Sequence, residues 1–225
     1  MDKQILDYIL VPLGLLIMLS YHLWLLRQVL RRPSTTVIGI NAASRRAWVG
    51  AMMADTAKNG ILAVQTLRNN IMASTVLAST AIMLSSIIAV LMSNRNGSGD
   101  EFSVKFLSIL VCFLLAFMLN VQSIRYYSHA SMLINVPTAT GDFKTAEYVC
   151  RTVNRGSYFW SVGLHSFYVS FPLFLWIFGP IPMFVSSLAL VFMLYFLDVA
   201  ADITTVFTTS APQHLDYSVA LENAV

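Results

Sequence analysis

Two histidines, two aspartates and an arginine lie inside or at the ends of long apolar runs in this 225-residue chain. His22 and His165 are the side chains best suited to exchange a proton near neutral pH. Asp198 and Asp202 stand one helical turn apart, so their carboxylates share a helix face, an arrangement suited to a hard cation but with too few ligands for a dedicated site. Arg125 offers a fixed positive charge, and Asn70, Asn120 and Gln122 offer neutral donors and acceptors. Ionisable groups among apolar residues of a membrane segment are functional candidates by default, because isolating them there costs several kcal/mol. No Gly-rich phosphate loop, HExxH, CxxC or GxSxG motif accompanies them, so nothing in the sequence fixes a catalytic geometry. The expectation is a non-enzyme with no cofactor and no metal. Cys112 lies in an apolar run and Cys150 in a basic loop, which points to neither a disulfide nor a metal site.

The elements that must position these residues are membrane spans. The chain is 57% hydrophobic and 11% charged, with a mean hydropathy of +0.69, against roughly a quarter charged in a soluble domain. Five runs approach the ~20 residues that a helix needs to cross ~30 Å of hydrocarbon: Tyr8 to Leu26, Ile71 to Met92, Phe106 to Tyr126, Ser157 to Phe178 and Ile181 to Val199. The fold expected is therefore all-α, a polytopic membrane helix bundle of five transmembrane helices. It forms a single domain over residues 1–210, followed by a short acidic cytosolic tail at 211–225. Gly179-Pro180-Ile181-Pro182 reads as a tight hairpin between the last two spans, and Pro172 as a kink in the fourth. The first run lacks a basic n-region and a small-residue cleavage site, so it reads as a retained span.

Charge orients the bundle. Eleven Lys and Arg follow spans one and three, against Lys3, Arg95 and Lys105 elsewhere. The positive-inside rule then places the N-terminus outside and the C-terminus inside. Asn96-Gly97-Ser98, a possible glycosylation sequon, falls on the outer side in this topology. Helical extensions reach into the cytosol. Glu101 to Asn135 has no Pro or Gly and would extend roughly 52 Å. Span two is expected from about Ile61, and Thr145 to Asn154 reads as a short helix before span four. Asn41 to Asp55 reads as an interfacial helix, with Trp48 among its apolar residues and Arg45 and Arg46 in reach of anionic headgroups.

In this topology His22, Asn70, Asn120, Gln122, Arg125, His165, Asp198 and Asp202 all fall in the cytosolic half. The outer stretches Leu10 to Leu19, Met83 to Met92 and Phe171 to Phe178 hold nothing ionisable. The inner cluster is either a structural clasp, with Asp198 paired to Arg125 or His165, or the lining of a cytosolic vestibule. A through-pore within one subunit is not supported. A path between subunits would run along Ser74, Thr75, Ser79 and Thr80, residues that serve equally well for close helix packing.

Tyr21-His22-Leu23-Trp24-Leu25, the stretch Asn59 to Asn69, the stretch Arg155 to Trp160, and Phe167 to Met183 with its Phe171-Pro172-Leu173 resemble the plant membrane proteins grouped as domain of unknown function 599. The resemblance covers roughly Tyr8 to Asp198. It implies a multi-pass helical plant protein and no particular activity. It also implies that Arg can stand where this chain has His165. Function is expected to be an oligomeric ion channel or transporter-like protein. The alternative is a structural or regulatory membrane protein that binds lipids or partner proteins through its basic cytosolic loop, and an intramembrane enzyme is a third reading. The expected partners are the lipid bilayer, anionic lipids and further copies of the chain, with no nucleic acid. The expected location is the plasma membrane or an endomembrane.

Overall fold

The computed structural model describes residues 3–93, 100–136 and 143–199. Six α-helices account for almost all of them: α1 (Lys3–Arg31), α2 (Val37–Ala54), α3 (Thr56–Ser93), α4 (Asp100–Leu133), α5 (Phe143–Leu175) and α6 (Pro180–Asp198). Among the described residues there is no strand, only an isolated backbone bridge between Thr36 and Val199. Four helical segments are long and apolar enough to cross a bilayer: Leu6–Arg31, Thr56–Ser93, Ser103–Leu133 and Pro180–Asp198. The chain is an integral membrane protein. Helix α5 is long enough, with 33 residues, but Tyr158, Trp160, Ser161, His165 and Ser166 make it less apolar than the other four.

Local chemistry explains where the helices begin and end. Thr36 caps α2, its Oγ1 accepting from the Gly39 N–H at 3.2 Å. The chain folds so tightly there that a Cβ on Gly39 would collide with the Pro33 carbonyl, so only glycine fits. Asp55 separates α2 from α3, and its Oδ1 accepts from the Lys58 N–H at 3.1 Å. This cap starts α3 at Thr56, about one turn earlier than the expected start at Ile61, and α3 runs on through Gly60. Likewise, Thr145 to Asn154 is no separate helix; it is the first part of α5. Helix α5 also continues through Pro172 and ends at Leu175. Gly179 then adopts φ +146°, a region that L side chains rarely enter, and α6 begins directly at Pro180.

The chain forms two compact units that share the long helices. Of the described residues, unit 1 holds those within 3–24, 76–120 and 162–196, and unit 2 those within 25–75, 121–161 and 197–199. The interior of unit 1 mixes small residues such as Ala78, Ala81, Ala116 and Ser187 with Ile109, Met183 and Leu194. Small side chains let helix backbones approach closely. At its surface Leu16, Val76, Ile87, Val185 and Phe192 are largely exposed, a face suited to lipid rather than water. In unit 2, Val49 and Met53 of α2 pack with Ala63, Leu67, Tyr127, Ala130, Val149 and Val153, which come from α3, α4 and α5.

Candidate functional site

The residues of the expected inner cluster are divided between the two units, with His22, Asn120 and His165 in unit 1 and Asn70, Gln122, Arg125 and Asp198 in unit 2. In unit 1, His22 and His165 meet edge to face with ring centroids 5.4 Å apart. The His22 Nδ1 lies 2.7 Å from the Met18 carbonyl oxygen, one turn back on α1. The two rings, with Cys112 and Ser166, border a mostly aliphatic groove of about 410 Å³. Asn120 is fully buried and donates to the Ala116 carbonyl at 2.8 Å, while its Oδ1 has no hydrogen-bond partner among the described residues. His165 is therefore a neighbour of His22 on the wall of this groove.

Unit 1 also holds a polar cluster that the sequence reading missed. Asp7 Oδ2 lies 3.9 Å from Lys105 Nζ and Asp7 Oδ1 accepts from the Trp176 indole at 3.1 Å. The Lys105 ammonium stands 5.2 Å from the centre of the Trp176 ring, within cation–π range. The signal was a lone acidic residue, Asp7, immediately before the first apolar run.

Unit 2 has the richer arrangement. Arg45 turns inward, and its Nε donates to Asn154 Oδ1 at 2.8 Å. Asn154 is itself held, its Nδ2 reaching the Ala42 carbonyl at 3.4 Å and the Cys150 sulfur at 3.8 Å. Arg45 Nη2 is buried with no hydrogen-bond partner among the described residues. Burial pushes the Arg45 guanidinium below its usual range, opposed by Tyr127, Tyr158 and Cys150. An arginine nonetheless stays protonated at neutral pH. Burial, and then Glu147, push the Cys150 thiol up to about 11, so it is protonated at neutral pH. A pocket of about 250 Å³ adjoins Arg45, walled also by Asn70, Ala73, Tyr127, Ser157 and Trp160. Tyr127 and Ser157 are hydrogen-bonded to each other.

The other expected residues take separate places. Arg46 is ion-paired with Glu147 at 2.5 Å, and Glu147 also accepts from Arg151 Nε at 3.0 Å. Trp48 packs against the unit 2 core. Arg45 and Arg46 thus have different partners inside the protein, an amide on α5 for the first and a carboxylate on α5 for the second. Gln122 is half-buried and Arg125 exposed on α4, whereas Asp198 is buried at the end of α6. Ser74 is buried and hydrogen-bonded to Ser123 at 3.2 Å, so it leaves the surface row proposed for it with Thr75, Ser79 and Thr80. Asn96, Asp202 and the tail at 211–225 lie outside the described residues. Among the described residues, no group of three His, Cys, Asp or Glu could hold a metal ion.

A family model described as "Protein of unknown function, DUF599" matches residues 9–203. No curated protein and no solved structure matches the chain. The chain belongs to the DUF599 family, whose description assigns no activity.

Proposed function

We propose that this DUF599 protein is a non-catalytic membrane protein that engages anionic lipid headgroups through unit 2. It crosses the bilayer five times, with its N-terminus outside and its C-terminus in the cytosol. One observation carries the reading. Eleven of the chain's fourteen Lys and Arg belong to unit 2, and nine of them are exposed, among them Arg31, Arg32, Arg151 and Arg155. Each cation near an anionic membrane surface contributes about 1 kcal/mol of attraction, and such clusters mark the cytosolic side.

The crossing added to the four most apolar helices is the fourth in chain order, the stretch of α5 that ends at Leu175 with four residues between it and α6. It sets the side of the C-terminus: five crossings put the termini on opposite faces, four put them on the same face. Tags at both termini, read by protease protection in sealed vesicles, test this directly. Lipid engagement is tested by the lipids that co-purify with the full chain. Replacing Arg31, Arg32, Arg151 and Arg155 by Gln should lower the ratio of retained anionic to zwitterionic lipid several-fold, and an unchanged ratio sinks the reading.

A second reading, an oligomeric channel or transporter-like protein, draws on one feature of α3. Thr75, Ser79 and Ser86 are exposed at spacings of four and seven residues, which puts them on one helix face. The Thr75 and Ser86 hydroxyls already donate to carbonyls one turn back, so this face needs no partner to satisfy them. Ion flux across liposomes containing the purified protein would favour this reading; sealed liposomes would remove it.

A further inference from the structure

Most cations of unit 2 are solvated, and Arg46 and Arg151 share Glu147. Arg45 is different. Its Nε is committed to a neutral amide acceptor, and among the described residues its Nη2 is buried with no hydrogen-bond partner and the ionisable groups that act on it are Tyr127, Tyr158 and Cys150, none of them a carboxylate. A phenol and a thiol are neutral at physiological pH. A cation drawn from water without a counter-charge is a standing penalty that an incoming anion relieves.

The adjoining pocket has the complementary chemistry. Arg45, Asn70 and Trp160 on its wall all carry donors, the hydrogen-bonded pair of Ser157 and Tyr127 keeps one hydroxyl proton to give, and among the described residues no acidic side chain lines it. Its volume of about 250 Å³ equals the share of roughly eight liquid waters at ~30 Å³ each. That is room for a phosphate with a small substituent. A carboxylate has two oxygens, whereas a phosphate monoester presents three, enough to engage the guanidinium and further donors together.

We propose that this pocket is a binding site for a phosphate-bearing anion, with Arg45 as its counter-ion and Asn70, Ser157 and Trp160 as further donors. The phosphate belongs either to a lipid headgroup or to a soluble phosphate compound. The site is separate from the exposed cations of the preceding proposal, because it is a half-open pocket with a defined set of donors rather than a charged face.

The test uses the full chain in mild neutral detergent, titrated with short-chain dioctanoyl phosphatidic acid and separately with inorganic phosphate, with acetate as a competitor. At least one phosphate probe should bind saturably, one per chain. Arg45→Gln should weaken it at least 10-fold and Arg45→Lys less, since lysine keeps the charge but not the fork of donors. Ala73→Phe fills the pocket and leaves the charge in place, so it should abolish binding even if Arg45→Gln fails to fold. Arg46→Gln should stay within twofold. Displacement of the lipid by inorganic phosphate assigns the site to a soluble compound; lipid binding that phosphate leaves intact assigns it to a headgroup. Wild-type affinity in both Arg45→Gln and Ala73→Phe, no saturable binding of either probe, or acetate competing as well as phosphate overturns the proposal. The exposed-cation variants report on the earlier reading alone, so the two can fail independently.

Discussion

Beside the link of Asp7, Lys105 and Trp176 across α1, α4 and α5, three buried polar groups of unit 1 bond within their own helix. Ser187 donates to the Met183 carbonyl and Asn120 to Ala116, each one turn back, and Ser170 donates to Phe167. In unit 2 the equivalent groups reach across helices. Arg45 on α2 holds Asn154 on α5, and Ser123 on α4 meets Ser74 on α3 and donates to the Gly156 carbonyl of α5 at 2.8 Å. A hydroxyl bonded to its own helix leaves its neighbours free to slide, so away from the Asp7 link unit 1 relies on the fit of side chains. Links between helices fix register, so unit 2 is held by packing and by hydrogen bonds with defined partners. The exteriors differ in the same sense: unit 1 presents aliphatic side chains and unit 2 presents cations.

The largest effect expected from this contrast is at Asn154. Asn154→Leu removes the acceptor for the Arg45 Nε and leaves more of the guanidinium unsatisfied in a buried place. Hydrogen bonds to charged groups contribute about 3 kcal/mol at the upper end, and unfolding of the full protein in mixed detergent should show a loss of that order. A loss below about 1 kcal/mol would mean that the link between α2 and α5 holds little.

Cys150 gives the next effect, and a measure of how closed the unit 2 interior is. Its thiol, pushed up to about 11 mainly by burial, should at pH 8 hold roughly 100-fold less thiolate than an ordinary cysteine, and the thiolate is the reactive form. In a Cys112→Ser background, maleimide labelling should be slow at pH 8 and accelerate as pH rises towards 11. The folded protein holds this proton more tightly than the unfolded chain. Its contribution to stability is therefore complete below the thiol's ordinary value near 9 and is lost as pH climbs through about 11. Rapid labelling at pH 7 would show the interior to be open.

Much of this was legible in the residues, and the misses have physical causes. The apolar runs gave helices α1, α3, α4 and α6, because a bilayer demands length and apolarity and little else. The start of α3 was misplaced because Asp55 caps the helix before Gly60, and a glycine inside a helix costs only about 1 kcal/mol. Helix α5 was read in two pieces because Asn154-Arg155-Gly156 is polar, although no proline stands between Phe143 and Phe171. For the site, composition identified Arg45 and Arg46 as a pair but not their directions. Those depend on Asn154 and Glu147, more than a hundred residues away. The link from Asp7 to Trp176 spans 169 residues, beyond any local pattern.

Unit 1 should answer best to volume. Ala81 is fully buried, and Ala81→Leu adds three carbons where helices touch, an overpacking that costs about 1–3 kcal/mol. The cost should appear as a lower melting temperature with no change in how Cys150 labels. An Ala81→Leu protein as stable as the wild type would show that unit 1 has slack, and the contrast between the units would lose its basis.

The smallest effects separate the two kinds of hydroxyl. Ser123→Ala deletes a group that meets two other helices, and about 1 kcal/mol should be lost, the typical net value of an intramolecular hydrogen bond. Ser187→Ala deletes a group bonded only one turn back on α6. The Met183 carbonyl keeps its helical N–H partner, so the loss should be under about 0.5 kcal/mol, the level of a change that removes no unique partner. Both serines are small, buried and helical, so cavity and propensity terms nearly cancel between the two variants. What remains is the difference between bonding to one's own helix and bonding to another. Equal losses in the two would mean that the hydroxyls of unit 2 do not fix helix register, and that packing alone holds both units.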